Sequence, residues 1–336
     1  MTTTQFFSDI IDQLDLALDQ INMNDRNFDR FAFMLIDNVT ELILHRFAQD
    51  KSHEGEWLSI INKSEIDDKL LNKALGPNFD DKIKLALNQS LISEDMSKSI
   101  RGLHIYRNTA YHQGLRHEGI LHSLTKFYFK IICTVLKDYT SNGWSSSSSD
   151  KISFRARKYL GHSINLNRPD IFQDSWKTLH SIVDNMDDNF VNDLYTDMKD
   201  TIDLTDDYIE YLVDNNRDKL SRDEVIINIQ LWEIAFLKEG ERIALEHNCQ
   251  GLTVQNYINC IKNHYKPEYN RDMIPNWRKR LEPMKNSKNI HFVFDKYINF
   301  IKQSEEIRLK IDKSVEQLDQ HINEEVDRMR EERHTI

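Results

Sequence analysis

Apolar residues recur at steps of three and four along almost the whole chain, the spacing of amphipathic helices. Phe7, Ile11, Leu14, Leu18 and Ile21 form a first stripe, and Phe28, Phe31, Leu35, Val39 and Leu42 a second. A third helix is predicted through Trp57, Ile60, Ile61 and Leu70, ended by Gly76-Pro77-Asn78. Asp80 opens a helix through Ile83, Leu87 and Leu91. Ser93, followed by Glu94 and Asp95, has the chemistry of an N-cap with acids in the first turn. It starts a helix carrying Ile100, Leu103 and Tyr106, with Gly114 as the expected terminator. Ile120, Leu124, Phe127, Ile131 and Val135 mark the next. No sustained alternating pattern and no internal repeat appears, so the expected fold class is all-α: an N-terminal helical bundle, then a C-terminal helical domain ending in a long helix.

The one low-complexity segment is Ser145–Ser149, preceded by Ser141-Asn142-Gly143-Trp144. It reads as a linker or exposed loop. The expected organisation is therefore a helical domain over 1–140, a serine-rich linker over 141–152 and a second helical domain over 153–336. In the second half, Ser221-Arg222-Asp223-Glu224 is a capping box, and Thr253 is placed to cap a helix through Tyr257, Ile258 and Ile261. Ile311, Val315, Leu318, Ile322 and Met329 stand at near-heptad spacing. They predict either a packed arm or a short coiled coil, with Glu325 interrupting the seam.

Composition narrows the class. Nine glycines and five prolines in 336 residues suit long helices. No apolar run is long enough to span a bilayer. The first residues, MTTTQFFSDI, lack the basic and apolar regions of a signal peptide, so the expected location is the cytoplasm. Cys133, Cys249 and Cys260 are too few and too scattered for a disulfide framework. The net charge of −11 argues against a general nucleic-acid coat protein. The charge is uneven, however: residues 101–140 hold six Lys/Arg against two Asp/Glu, and residues 251–300 hold nine against four. A local basic surface for RNA is therefore compatible with the acidic whole.

The segment richest in chemistry is Tyr106-Arg107-Asn108-Thr109-Ala110-Tyr111-His112-Gln113-Gly114. Arginine offers a permanent charge in a planar fork that matches phosphate oxygens. Histidine moves protons near neutral pH. Together they suffice for phosphodiester transesterification without a metal, the imidazole handling the proton and the guanidinium the charge developing on phosphorus. Spacing alone does not single this pair out, because Arg157/His162 and Arg242/His247 share it. Only the first has Asn directly after the Arg, lies on a capped helix and sits in a locally basic stretch.

RNTAYH resembles the Arg-Asn-x3-His motif of the HEPN superfamily, as found in CRISPR-associated ribonucleases and many toxin or abortive-infection nucleases. The resemblance covers roughly residues 1–140. It implies a small helical bundle with Arg107 on the scissile phosphate, His112 as general acid/base and Asn108 in support. It also implies single-stranded RNA as substrate, 2′,3′-cyclic phosphate and 5′-hydroxyl products, no cofactor and no metal. The family link implies a role in growth arrest or antiviral defence under a regulatory partner or activator. Gly114 stands where toxins paired with a nucleotidyltransferase carry a modified Tyr, which argues against that pairing. On an ideal helix, five residues leave Arg107 and His112 about 140° apart. Either the helix breaks near the motif or a second chain completes the site, as in HEPN homodimers. The competing reading is a HEPN-fold scaffold that has lost catalysis.

Three weaker signals remain. Residues 262–296 interleave Lys262, Lys266, Arg271, Arg278, Lys279, Arg280, Lys285 and Lys288 with Tyr265, Tyr269, Trp277 and Phe292. That mixture suits either single-stranded nucleic acid or a solvated face over core aromatics. His247, Cys249, Cys260 and His264 are ligand-type residues, but their spacing matches no familiar zinc pattern. Glu41 and His45, one turn apart, are expected to form a surface ion pair.

Overall fold

A computed structural model describes residues 1–60, 67–113, 118–141, 143–161, 169–186, 189–216, 219–249 and 253–334. Among them every regular element is helical, as the apolar spacing predicts, and none is long and apolar enough to cross a membrane. The chain divides into two compact units, residues 1–194 with 287–295, and residues 195–286 with 296–336.

The first unit begins with α1 (Thr3–Asn22) and α2 (Arg26–Ile60), joined through Met23–Asp25 as a helical hairpin. The Thr2 side chain caps α1, and Asn24 takes the left-handed conformation the turn needs. The predicted stripe of α1 is the observed one: Phe7, Ile11, Leu14, Leu18 and Ile21 are all buried. That of α2 is rotated. Ile36, Val39 and Ile43 are fully buried, whereas Phe28 and Phe31 are exposed. The sequence Phe31–Leu44 carries apolar residues around more than one face, and packing against α1 and α6 (Leu121–Asp138) selects the Ile36–Val39–Ile43 face. α2 also runs on to Ile60 as a single helix, so Trp57 and Ile60 belong to it and not to a separate third helix; Ile61 lies outside the described residues.

Asp67 caps α3 (Asp68–Ala74) and Asn78 caps α4 (Phe79–Asn88), on either side of the expected break at Gly76-Pro77. Ser93 accepts from the Met96 N–H at 3.2 Å and starts α5 (Glu94–Gln113), as its sequence foretells. A 3-10 turn at Glu118–Ile120 leads into α6, whose Leu124, Phe127, Ile131 and Val135 are buried. α7 (Phe154–Leu160) and α8 (Pro169–Asp184) complete this set.

The serine-rich segment is loop, yet it does not separate the compact units. Ser145 accepts from the Thr3 N–H at 3.1 Å, and Thr2 donates to Asp150 at 2.8 Å. Trp144 stacks on Phe7 with centroids 5.8 Å apart. The loop is thus sewn to the start of α1, and the division falls instead within α9 (Phe190–Asp214).

The second unit contains most of α9, α10 (Arg222–Ala235), α11 (Lys238–Glu246), α12 (Val254–His264), α13 (Ile274–Lys285) and most of α14 (Ile290–His334). The Ser221/Glu224 capping box and the Thr253 cap form as expected. Along α14 the apolar seam is buried at Ile311 and Val315 and has opened to solvent at Val326 and Met329. Cys249 and Cys260 are joined in a disulfide, which their scatter in sequence does not suggest.

Candidate functional site

Arg107 and Asn108 lie on α5, which continues unbroken past the motif to Gln113. No helix break therefore brings Arg107 and His112 onto one face, and the helical rotation of about 140° between them stands. The His112 side chain and Gly114 lie outside the described residues. The structure thus brings together Arg107 and Asn108: Arg107 Nη1 donates to Asn108 Oδ1 at 2.9 Å.

Two helices behind Arg107 supply what the motif does not contain. Asp37 of α2 is 2% exposed. It receives hydrogen bonds from His104 Nδ1 at 3.0 Å and from the Tyr128 hydroxyl of α6 at 2.8 Å. Arg107 Nε stands 3.6 Å from Asp37 Oδ2. His104 and Arg107 are three residues apart, so α5 presents both on one face. Phe79 stacks on the His104 ring with centroids 3.9 Å apart, which holds the imidazole flat against α4. Burial, followed by the charge of Asp37, pushes the Tyr128 hydroxyl well above its ordinary pKa, so it remains a donor to Asp37. A buried carboxylate is costly unless paired and hydrogen-bonded, and here an imidazole, a phenol and a nearby guanidinium share that role.

Arg107 also lines an open cleft of about 540 Å³ with Leu16 and Gln20 of α1 and Phe31, Met34, Leu35 and Asn38 of α2. The predicted core stripe of α2 thus contributes Phe31 and Leu35 to a surface hollow. Phe31 is 58% exposed. The arrangement couples a cation, fixed from behind by a buried anion, to an apolar wall with an aromatic ring. That chemistry fits an anionic ligand bearing flat apolar groups.

Sequence reasoning did not single out Asp37, His104 or Tyr128. A signal for the first existed: Asp37 is the only charged residue between Phe31 and Thr40, a run that is otherwise largely apolar. For His104 the signal was its spacing of three from Arg107.

The remaining candidates resolve by their contacts. His45 accepts from Gln49 at 3.2 Å, and no ion pair with Glu41 forms. Burial lowers the His45 pKa, with the charge of Lys82 acting in the same direction and Glu41 against it. In the basic 262–296 stretch, Arg278 pairs with Asp203 and Asp206 of α9, at 3.1 and 2.7 Å. Trp277 is buried against Phe300, and Tyr269 donates to the Gln303 carbonyl. These contacts favour the solvated face over core aromatics.

Comparison with known proteins finds no matching family model, no matching curated protein and no matching solved structure. The HEPN resemblance rests on the motif and the helical layout.

Proposed function

We propose that the chain is an endoribonuclease that cleaves single-stranded RNA without a metal. The observation that carries this reading is Arg107, held beside the buried carboxylate of Asp37 while lining an open, aromatic-edged cleft. The guanidinium binds the non-bridging oxygens of the scissile phosphate and steadies the charge that grows there. The 2′-oxygen attacks phosphorus as a base removes its proton. The 5′-oxygen leaves with a proton from an acid, giving a 2′,3′-cyclic phosphate and a 5′-hydroxyl. His112 is the acid/base, and Asn108 orients the guanidinium. Five residues along a helix subtend a rotation that leaves the two positions about 140° apart, so the reading draws the working pair from two copies of the chain, with the protein acting as a homodimer. Phe31 gives an RNA base a ring to stack on. The second unit regulates the nuclease, which serves as a cytoplasmic toxin or antiviral effector under a regulatory partner.

The test is cleavage of labelled single-stranded RNA in EDTA by wild type, Arg107→Ala and His112→Ala. Wild type is expected to cleave and each variant to be inactive. Mixing the two variants is expected to restore part of the activity, since one of the two sites in the mixed dimer keeps both groups. The second reading, a non-catalytic scaffold, draws on the same Asp37 contact, since an Arg beside a buried Asp also serves stability. Folded, dimeric wild type that leaves RNA intact supports the scaffold.

A further inference from the structure

α10, α11 and α12 pack around a small core of Leu231, Ala235, Ile243, Ala244, Ile258 and Ile261. Polar contacts tie α10 to the segment after α12. Gln230 Nε2 donates to the Tyr269 carbonyl at 2.8 Å, the Tyr269 N–H donates to Gln230 Oε1 at 3.1 Å, and Arg222 pairs with Asp272 at 2.7 Å. So little apolar material holds three short helices weakly, and a cross-link among them then carries a large share of their stability. The Cys249–Cys260 bond is such a cross-link.

The two sulfurs differ in access. α11 ends with Asn248 in the left-handed conformation and the Cys249 N–H on the Ala244 carbonyl at 2.9 Å, a Schellman turn. That turn sends Cys249 into the core, where it is fully buried, whereas Cys260 on α12 is half-buried. Two further contacts join the same segments without the bond. The Tyr257 hydroxyl of α12 donates to the Ala235 carbonyl at the end of α10 at 2.8 Å. The exposed rings of His247 and His264, one just before Cys249 and the other one helical turn after Cys260, lie against each other with centroids 3.6 Å apart. Their Cα atoms 6.0 Å apart, the two cysteines stand at a separation that disulfides ordinarily span. The surrounding contacts therefore keep the cysteines within reach of each other when the bond is open, which makes closure readily repeatable.

We propose that Cys249 and Cys260 are a reversible thiol–disulfide exchange site, opened at Cys260 by a small-molecule thiol, whose state sets how firmly α12 is held to α11. The thiolate RS⁻ attacks the half-buried Cys260 sulfur. The S–S bond breaks, Cys260 carries the RS group as a mixed disulfide, and Cys249 leaves as a thiolate that takes up a proton. A second RS⁻ attacks the sulfur of that RS group, releasing RSSR and the Cys260 thiolate, which is protonated in turn. The sum converts one protein disulfide and two RSH into two protein thiols and RSSR, and excess RSSR runs the same steps backward. Cys133 takes no part: it is fully buried, and burial pushes its thiol far above the ordinary range, so it holds almost no thiolate. Reduction withdraws the stabilisation that closing a short loop supplies, so α12 opens locally more often while the first unit is untouched.

The test uses the full chain without denaturant, equilibrated in glutathione buffers from mostly oxidised to mostly reduced, then quenched with acid and alkylated. Intact mass and peptide mapping are expected to show Cys249 and Cys260 becoming alkylatable together in the reducing buffers and protected again when oxidised glutathione is restored. Oxidised glutathione is expected to modify Cys260 in Cys249→Ser at least about tenfold faster than Cys249 in Cys260→Ser, as their difference in access requires. In wild type, where no variant has to fold, hydrogen exchange at the Ile258 and Ile261 amides is expected to quicken about 30-fold on reduction, with α1 and α6 unchanged. A bond that yields to glutathione only in urea overturns the proposal and makes the disulfide a permanent staple. Equal exchange at Ile258 and Ile261 in both redox states overturns it too, as does equal modification of the two variants.

Discussion

Two of the aspartates buried in the first unit, Asp15 and Asp37, lie in similar company, and the difference between them separates a latch from a candidate site. Asp15 of α1 receives Arg155 Nη1, Lys158 Nζ and the Tyr159 hydroxyl at 2.8, 2.8 and 2.5 Å. Asp37 of α2 receives His104 and Tyr128, with Arg107 at 3.6 Å, beyond hydrogen-bond reach. At Asp15 the cations close directly on the carboxylate and fix α7 to α1. At Asp37 an imidazole and a phenol hydrogen-bond the carboxylate, and the Arg107 guanidinium pairs with it from the edge of a cleft. An arginine closed into a cluster of salt bridges serves stability, whereas one that pairs with a buried anion while lining an open cleft is also placed to meet a ligand.

The largest expected effect tests that distinction directly. Arg107→Ala is expected to slow RNA cleavage by about 10²–10³-fold, the loss typical of one preorganised charge-stabilising donor, with little change in urea midpoint. A variant that cleaves at the wild-type rate breaks the comparison and the nuclease reading with it. Asp37→Ala removes the acceptor shared by His104 and Tyr128, leaving a fully buried hydroxyl without its partner. A loss of about 3 kcal/mol in urea unfolding is expected, and cleavage falls too, because Arg107 loses the anion behind it.

In the second unit, Cys260→Ser removes a disulfide across a sequence separation of 11 residues. Non-reducing unfolding is expected to show a loss of roughly 2–3 kcal/mol confined to that unit. Arg155→Ala is smaller again, because Lys158 and Tyr159 remain on Asp15: about 1.5 kcal/mol in stability, with cleavage unaltered. If Arg155→Ala instead impairs cleavage without unfolding the protein, the Asp15 cluster is more than a latch.

What was legible in the sequence was local. The α1 stripe, the Ser93 and Thr253 caps and the Ser221/Glu224 box each depend on residues within one or two turns, and the chain carries them directly. The face of α2 was not legible, because apolar residues surround Phe31–Leu44 and only α1 and α6 decide which of them are covered. The serine run looked like a linker by composition, whereas Thr2, Thr3 and Phe7, more than 130 residues earlier, tie it down. At the candidate site, Arg107 and Asn108 were legible as a motif, but their setting was not. Asp37, His104 and Tyr128 come from three helices, and no spacing along one segment announces a convergence in space. The same holds for Cys249 and Cys260, whose bond joins the turn after α11 to α12.

The gentlest expected effect concerns the latch alone. Burial by itself would raise the Asp15 pKa, but hydrogen bonds from Lys158, Tyr159 and Arg155 outweigh it and hold it below 3.8. The unfolded chain therefore takes up this proton more readily than the folded one. The contribution of Asp15 is fully present above that unfolded value and fades as the pH falls through the lower folded one. Asp15→Asn cannot lose a charge on acidification. Its stability is expected to fall less steeply than that of wild type below pH about 4, although it starts lower at neutral pH. Urea midpoints measured across that range compare the two slopes. Parallel curves would mean that the ion pairs at Asp15 contribute nothing specific to folding.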